Sequence, residues 1–356
     1  MKSGLKFEEF GEKIILEKHK KVSKTKFKKI LITCATALAV VLVGVKIVTS
    51  IDWQMITDEN KAKNYNPSSE IKSLADSIYL TRKGKSVYYA SQPKLLTGSE
   101  FNKTCGRDGY SSYYIAGCYY KDDNEEEHIE IYNVGTSTFS ENGLTFRFGE
   151  YRKAVVLHET LHAVWERFSN EKKNSTCKDL KTLASQISNL KSEVSTYSDD
   201  KVCSELFARV GSEYTSILSP NNTISTTVNL PVNNNTLSLE GKKAINNLVS
   251  TYNTYFDTTK YDWLVAYWEN NNQLVTIETK IKNYNNILKN KERNISVLKN
   301  AYYYWPTRSN YNSAVNAIKD YNNYVTVLNS YLASYKKVVN TLDSERAVST
   351  SNYLSI

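Results

Sequence analysis

The sequence predicts an α+β, mostly helical chain, with a transmembrane helix near its N-terminus and an antiparallel coiled-coil helical hairpin at its C-terminus. Three observations predict it. The 356 residues include only 13 glycines and five prolines, which favours long helices over a turn-rich β architecture. Ile30 to Val45 is a run of sixteen residues without a charge. Beyond residue 259, apolar side chains recur at heptad spacing.

The apolar run continues through Lys46 to Ile47 and Val48, close to the roughly twenty residues a bilayer core asks for. Lys46 lies near one end, where its side chain can snorkel, and Lys28 and Lys29 mark the cytoplasmic side. A cleaved signal peptide is the rival reading, opposed by the long charged leader and by the lack of a small-x-small site after Ile47. The expected topology is a basic cytoplasmic tail (1–29), a span in the lipid bilayer (30–48), a polar tether (49–68), a mixed domain (69–258) and the hairpin (259–356), with the C-terminal part extracellular. Of the net charge of +9, the tail supplies ten lysines and four glutamates, a balance of +6. The remainder shows no basic stripe, so nucleic acid is not an expected partner.

Cys34 lies in the span. The four remaining cysteines, Cys105, Cys118, Cys177 and Cys203, fall on the exported side and permit three pairings. Proximity favours Cys105–Cys118 and Cys177–Cys203. The absence of CxxC argues against a structural zinc knuckle.

Along the mixed domain, Ile71, Leu74 and Ile78 mark a short amphipathic helix. SVYYAS (86–91) reads as a strand. Lys121 to Glu127 reads as a solvated acidic loop, and HIEIYNV (128–134) alternates like a half-buried strand. Helical spacing follows over Arg152 to Phe168, over Leu180 to Val194, and again after Ser198. Residues 219–238, rich in Ser, Asn and Thr, read as a loop. In the hairpin, Leu274, Ile277, Ile281, Tyr284, Leu288, Ile295 and Leu298 take a/d positions. After Pro306 the pattern restarts at Tyr311 and runs to Leu342.

The chemistry concentrates in His158-Glu159-Thr160-Leu161-His162. Histidines at i and i+4 share one helix face, so both imidazoles can reach one ion, and neutral imidazole suits zinc. Glu159, one residue after the first histidine, can face a metal-activated water and take its proton as general base. This is the mechanism carried by HExxH spacing. The bland alternative is two helix histidines with an incidental glutamate.

HETLHAVWERF, preceded by HIEIYNV and followed by SELFARVGSEY, resembles the zincin metallopeptidases over about residues 70 to 257. Three further segments resemble a group of single-pass bacterial membrane HExxH proteins: Ala90 to Cys105, Gly117 to Tyr119, and Glu205 to Glu213. The resemblance implies a zincin-like, gluzincin-type catalytic domain at 69–258, with an edge strand before the HExxH helix that receives a peptide or protein substrate. It also implies a Zn2+ site held by His158, His162 and a later glutamate. Glu205 is the first choice, Glu213 the second and His128 the third. Phe168 stands where the metzincin branch has its third histidine, which excludes that branch. Arg209 stands where the thermolysin-like pattern has an acidic residue, a departure that touches Glu205. The expected function is a membrane-anchored extracellular zinc peptidase with Glu159 as catalytic base. The alternative is a catalytically idle zincin-fold surface protein that acts in adhesion or cell-envelope interaction through its hairpin.

Overall fold

The computed structural model describes residues 52–105, 116–188, 190–191, 197–218 and 237–342. The chain divides into two compact units, Met1–Ile56 and Thr57–Ile356, and of the first only residues 52–56 are described. The elements in order are α1 (Trp53–Asn64), α2 (Ser69–Ser77), α3 (Arg82–Ala90), β1 (Lys94–Leu96), α4 (Gly98–Cys105), β2 (Gly117–Lys121), β3 (Glu127–Tyr132), β4 (Thr138–Glu141), β5 (Leu144–Arg147), α5 (Phe148–Glu166), α6 (Asn170–Ala184) and α7 (Asp199–Ser212). A 3₁₀ turn (Thr215–Leu218), α8 (Leu239–Tyr252), α9 (Asp262–Tyr304) and α10 (Arg308–Leu342) complete the order.

The expected fold class needs correction. The described residues are mostly helical, with five short strands in a three-stranded and a two-stranded sheet, and they do not make a zincin fold. The HIEIYNV segment, expected as an edge strand, is β3, the middle strand of the order β1-β3-β2. It pairs parallel with β1 and antiparallel with β2. Both of its backbone edges are therefore used, and it cannot receive a substrate strand. Among the described residues no helix is long and apolar enough to cross a membrane. The span expected at 30–48 lies outside the described residues.

Two local expectations also change. SVYYAS forms most of α3, not a strand. Thr81 caps that helix by accepting from the Gly84 amide, and Val87, Tyr88 and Ala90 are buried along it. The N-terminal cap and one buried helical face outweigh the β-propensity of Val and Tyr here. Residues 49–68, expected as a tether, contain the whole of α1, whose Asp58 is 2% exposed. Asp58 accepts two 2.9 Å bonds from Arg167 at the end of α5. Arg167 also meets Glu127 of β3 at 2.5 Å, so one buried cation ties three elements together.

The main core lies between the sheet and the helices. Ile129 and Ile131 of β3 join Leu157, Leu161 and Val164 of α5, Leu180 and Leu183 of α6, and Leu206 and Phe207 of α7. Both expected disulfides are present, Cys105–Cys118 and Cys177–Cys203. The second joins α6 to α7 one residue before Ser204.

Helices α9 and α10 pair antiparallel. Tyr335 donates to Glu278 at 2.6 Å and Tyr321 to Glu292 at 2.8 Å, while Tyr284 packs on Tyr324 and Tyr331. The base of the hairpin shares the body's cores. Trp263, Leu264 and Tyr267 enter the main one. Ile277, Val338 and Leu342 cover Phe139, Leu144 and Phe146 of the β4–β5 hairpin. That hairpin turns on Asn142 (φ 50°) and Gly143 (φ 74°), two left-handed positions that suit an Asn-Gly turn.

Candidate metal centre

The site is made by two helices packed side by side. Helix α5 buries Ala154, Leu157, Leu161 and Val164 and turns His158 and His162, both half-buried, toward α7. Gly211 lets α7 come close, since a Cβ there would sit 2.4 Å from Leu161 Cδ1 and 2.7 Å from the Tyr252 ring. The approach brings Ser204, Glu205, Ser212 and Glu213 against the two histidines.

His158, His162 and Glu205 form one group whose donor atoms all lie within 4.8 Å of one another. The two Nε2 atoms are 3.2 Å apart. Glu205 Oε1 is 3.4 Å from His158 Nε2, and Oε2 is 3.4 Å from His162 Nε2. Tetrahedral coordination at about 2.0–2.1 Å requires donor–donor separations of about 3.3–3.4 Å. Two imidazoles and a carboxylate at these separations fit a divalent ion in both chemistry and spacing.

The outer ring nitrogens are held from behind. His162 Nδ1 lies 2.9 Å from Ser204 Oγ. His158 Nδ1 lies 3.4 Å from Ser212 Oγ and 3.7 Å from Glu213 Oε1. Ser212 donates its own proton to the Ala208 carbonyl at 2.8 Å, so its oxygen is left to accept from His158 Nδ1. In the neutral imidazole that metal binding requires, this places the proton on Nδ1 and leaves the Nε2 lone pair facing the centre.

Charge in the group is balanced by Arg209, which reaches Glu205 Oε1 and Glu213 Oε2 at 3.2 Å each. Tyr197 also donates to Glu205 Oε1 at 3.2 Å. Burial opposes a charge on Glu205, but the His158 and His162 imidazoles hold its carboxyl far below the usual carboxylate range. Burial likewise opposes a charge on His158, yet the carboxylates around it, Glu205 foremost, push its pKa up to about 9.

Glu159 is buried on the neighbouring flank of α5, against strand β2. A Cβ at Gly117 would lie 2.7 Å from Glu159 Cγ and 2.9 Å from its Oε1, so glycine is what admits the side chain. Burial raises its pKa, against the pull of His158 and His162 and a backbone hydrogen bond from Tyr119. A raised carboxylate pKa beside two imidazoles is the disposition of a proton acceptor.

Four of the residues named from sequence thus meet: His158, His162, Glu205 and, beside them, Glu159. Glu213 stands behind His158, not with the inward donors. His128 is elsewhere, on β3 with Asp122 (3.3 Å) and Glu126. The roles of Ser204, Ser212 and Gly117 depend on contacts with other elements that the sequence does not display. Only the GCY segment carried a signal, since a glycine opening a strand marks close approach by another group. No family model, curated protein or solved structure matches the chain.

Proposed function

We propose that this centre binds zinc and that the protein hydrolyses peptide bonds. The observation that carries the reading is the convergence of His158 Nε2, His162 Nε2 and the Glu205 carboxylate at 3.2–3.4 Å, with buried Glu159 one residue from the first ligand. His158, His162 and Glu205 would hold the ion. When bound, zinc supplies Lewis acidity that lowers the pKa of water to about 7. Ser204 and Ser212 would keep the imidazoles in the required tautomer, and Arg209 would hold Glu205 in place while neutralising Glu213. Glu159, kept from solvent by β2, would accept the proton of the attacking water and pass it to the leaving amine. General-base removal typically costs about 10²–10⁴ in rate.

Two supports stand apart from the ligand set. The cysteine pairs match an exported protein. The outer edge of β2 has no strand partner among the described residues and runs beside Glu159, so a peptide could pair there in extended form. The experiment is hydrolysis of an unfolded protein substrate by the purified full chain and by Glu159→Gln. Activity that disappears in Glu159→Gln while metal content is retained supports the reading. Equal activity in both removes Glu159 from the chemistry and defeats it.

A further inference from the structure

The distal end of the α9–α10 hairpin contributes nothing to either core, yet it carries the densest aromatic exposure among the described residues. From the Glu278–Tyr335 pair to the turn, the hairpin runs about 40 Å at 1.5 Å per residue. At the turn, Tyr303 is 79% exposed, Tyr304 and Trp305 are each 69%, and Tyr311 is 53%. Neighbouring rings touch: Tyr303–Tyr304 centroids are 5.2 Å apart, Tyr304–Trp305 6.3 Å and Tyr302–Tyr311 5.7 Å. Val297, Val315 and Ile318 are exposed just behind them. A contiguous aromatic patch at a tip is an interaction surface, not ordinary apolar exposure.

The charge nearest the tip is basic. From Arg293 to Lys319 the chain has four basic residues, Arg293, Lys299, Arg308 and Lys319, and no acidic one. All four are exposed. The acidic Glu292 and Asp320 stand only at the far ends of the stretch, where they meet Tyr321 and Lys291. Tyrosine and tryptophan have an apolar body and a polar tip, which places them at the headgroup level of a bilayer. Lysine and arginine beside them are drawn to anionic headgroups. Aliphatic Val297, Val315 and Ile318 extend the apolar surface back along the hairpin from the aromatic tip, which suits a broad interface more than a site that stacks sugars or bases. We propose that the hairpin tip is a docking surface for an anionic phospholipid bilayer, with Tyr303, Tyr304 and Trp305 entering the interface and the four basic side chains binding headgroups. The inference is independent of the metal centre.

Trp305 is its own reporter. The full chain and its Trp305→Phe variant would be incubated with vesicles of phosphatidylcholine and phosphatidylglycerol carrying brominated acyl chains, and the Trp305 contribution taken by difference. This reads the tip itself, whatever else in the chain meets the lipid. The expected result is quenching of Trp305 in anionic vesicles and little in pure phosphatidylcholine. Changing Arg293, Lys299, Arg308 and Lys319 together to Gln should lower the apparent affinity of the tip by at least about tenfold. These are exposed positions, so folding is not at stake. No Trp305 quenching in anionic vesicles overturns the proposal. So does equal quenching in neutral vesicles, and so does a Trp305 response to cell-wall polysaccharide in its place.

Discussion

Helices α5 and α7 and the α9–α10 hairpin are both helix pairs, yet they treat water in opposite ways. In the first, Val156, Leu157, Leu161 and Val164 have 0% exposure because the sheet and other helices cover the outer faces. In the distal hairpin the seam has only itself, and its best-covered members, Leu288, Ala314 and Leu328, keep 6–8%. Polar groups follow suit. Those at the centre are packed into a network of named partners, whereas Lys291–Asp320 in the hairpin is a surface pair. A third layer is what turns a helix pair into an environment able to bend pKa values and orient imidazoles. Without it, the pair serves to present a surface.

The largest break in this contrast should come from Arg167→Met, which leaves Asp58 and Glu127 buried without their cation. We expect a loss of about 3–5 kcal/mol, read from the urea midpoint. Next, Leu161→Ala should cost about 2–5 kcal/mol, and the same change at Leu288 less than half of that. Comparison of the two chemical denaturation curves tests whether the third layer matters. Gly117→Ala sharpens the account at the centre. Its new methyl would displace Glu159, lowering peptide hydrolysis by on the order of 10²-fold with metal content intact. Lost metal would instead show that β2 supports the ligands. The smallest effect is Lys291→Met, at about 1 kcal/mol or less, small enough for the thermal midpoint to stay nearly unchanged.

Sequence periodicity carried the helices well where one face is buried against a broad core. Helix α5 is legible for that reason, and the heptads of α9 and α10 are legible because two helices that bury one narrow seam need a strict a/d repeat. The pairing of cysteines was legible from proximity, and the ligand pair from i, i+4 spacing. Glu205 follows from the resemblance to a family, and the structure sets its carboxylate 3.4 Å from each imidazole Nε2. SVYYAS misled because its Val and Tyr favour strands, while the cap at Thr81 and the covering of Tyr88 decide for a helix. The strand order was hidden for a different reason. Alternation in HIEIYNV shows burial of faces but says nothing about which edges are paired, and a middle strand and an edge strand can read alike. The serines behind the histidines are common helix-surface residues until a second helix is laid against them. Asn142-Gly143 is a hairpin signal written locally in the sequence, and both residues take the left-handed conformation the turn needs.

The most direct test of the central claim is metal content. The full chain, His162→Ala and Glu205→Ala would be purified, exposed to zinc, dialysed and measured by elemental mass spectrometry. The account predicts close to one zinc per chain in the wild type and loss in both variants, because two imidazoles and one carboxylate hold the ion together. No zinc in the wild type after that loading, or full zinc retained in Glu205→Ala, would contradict it.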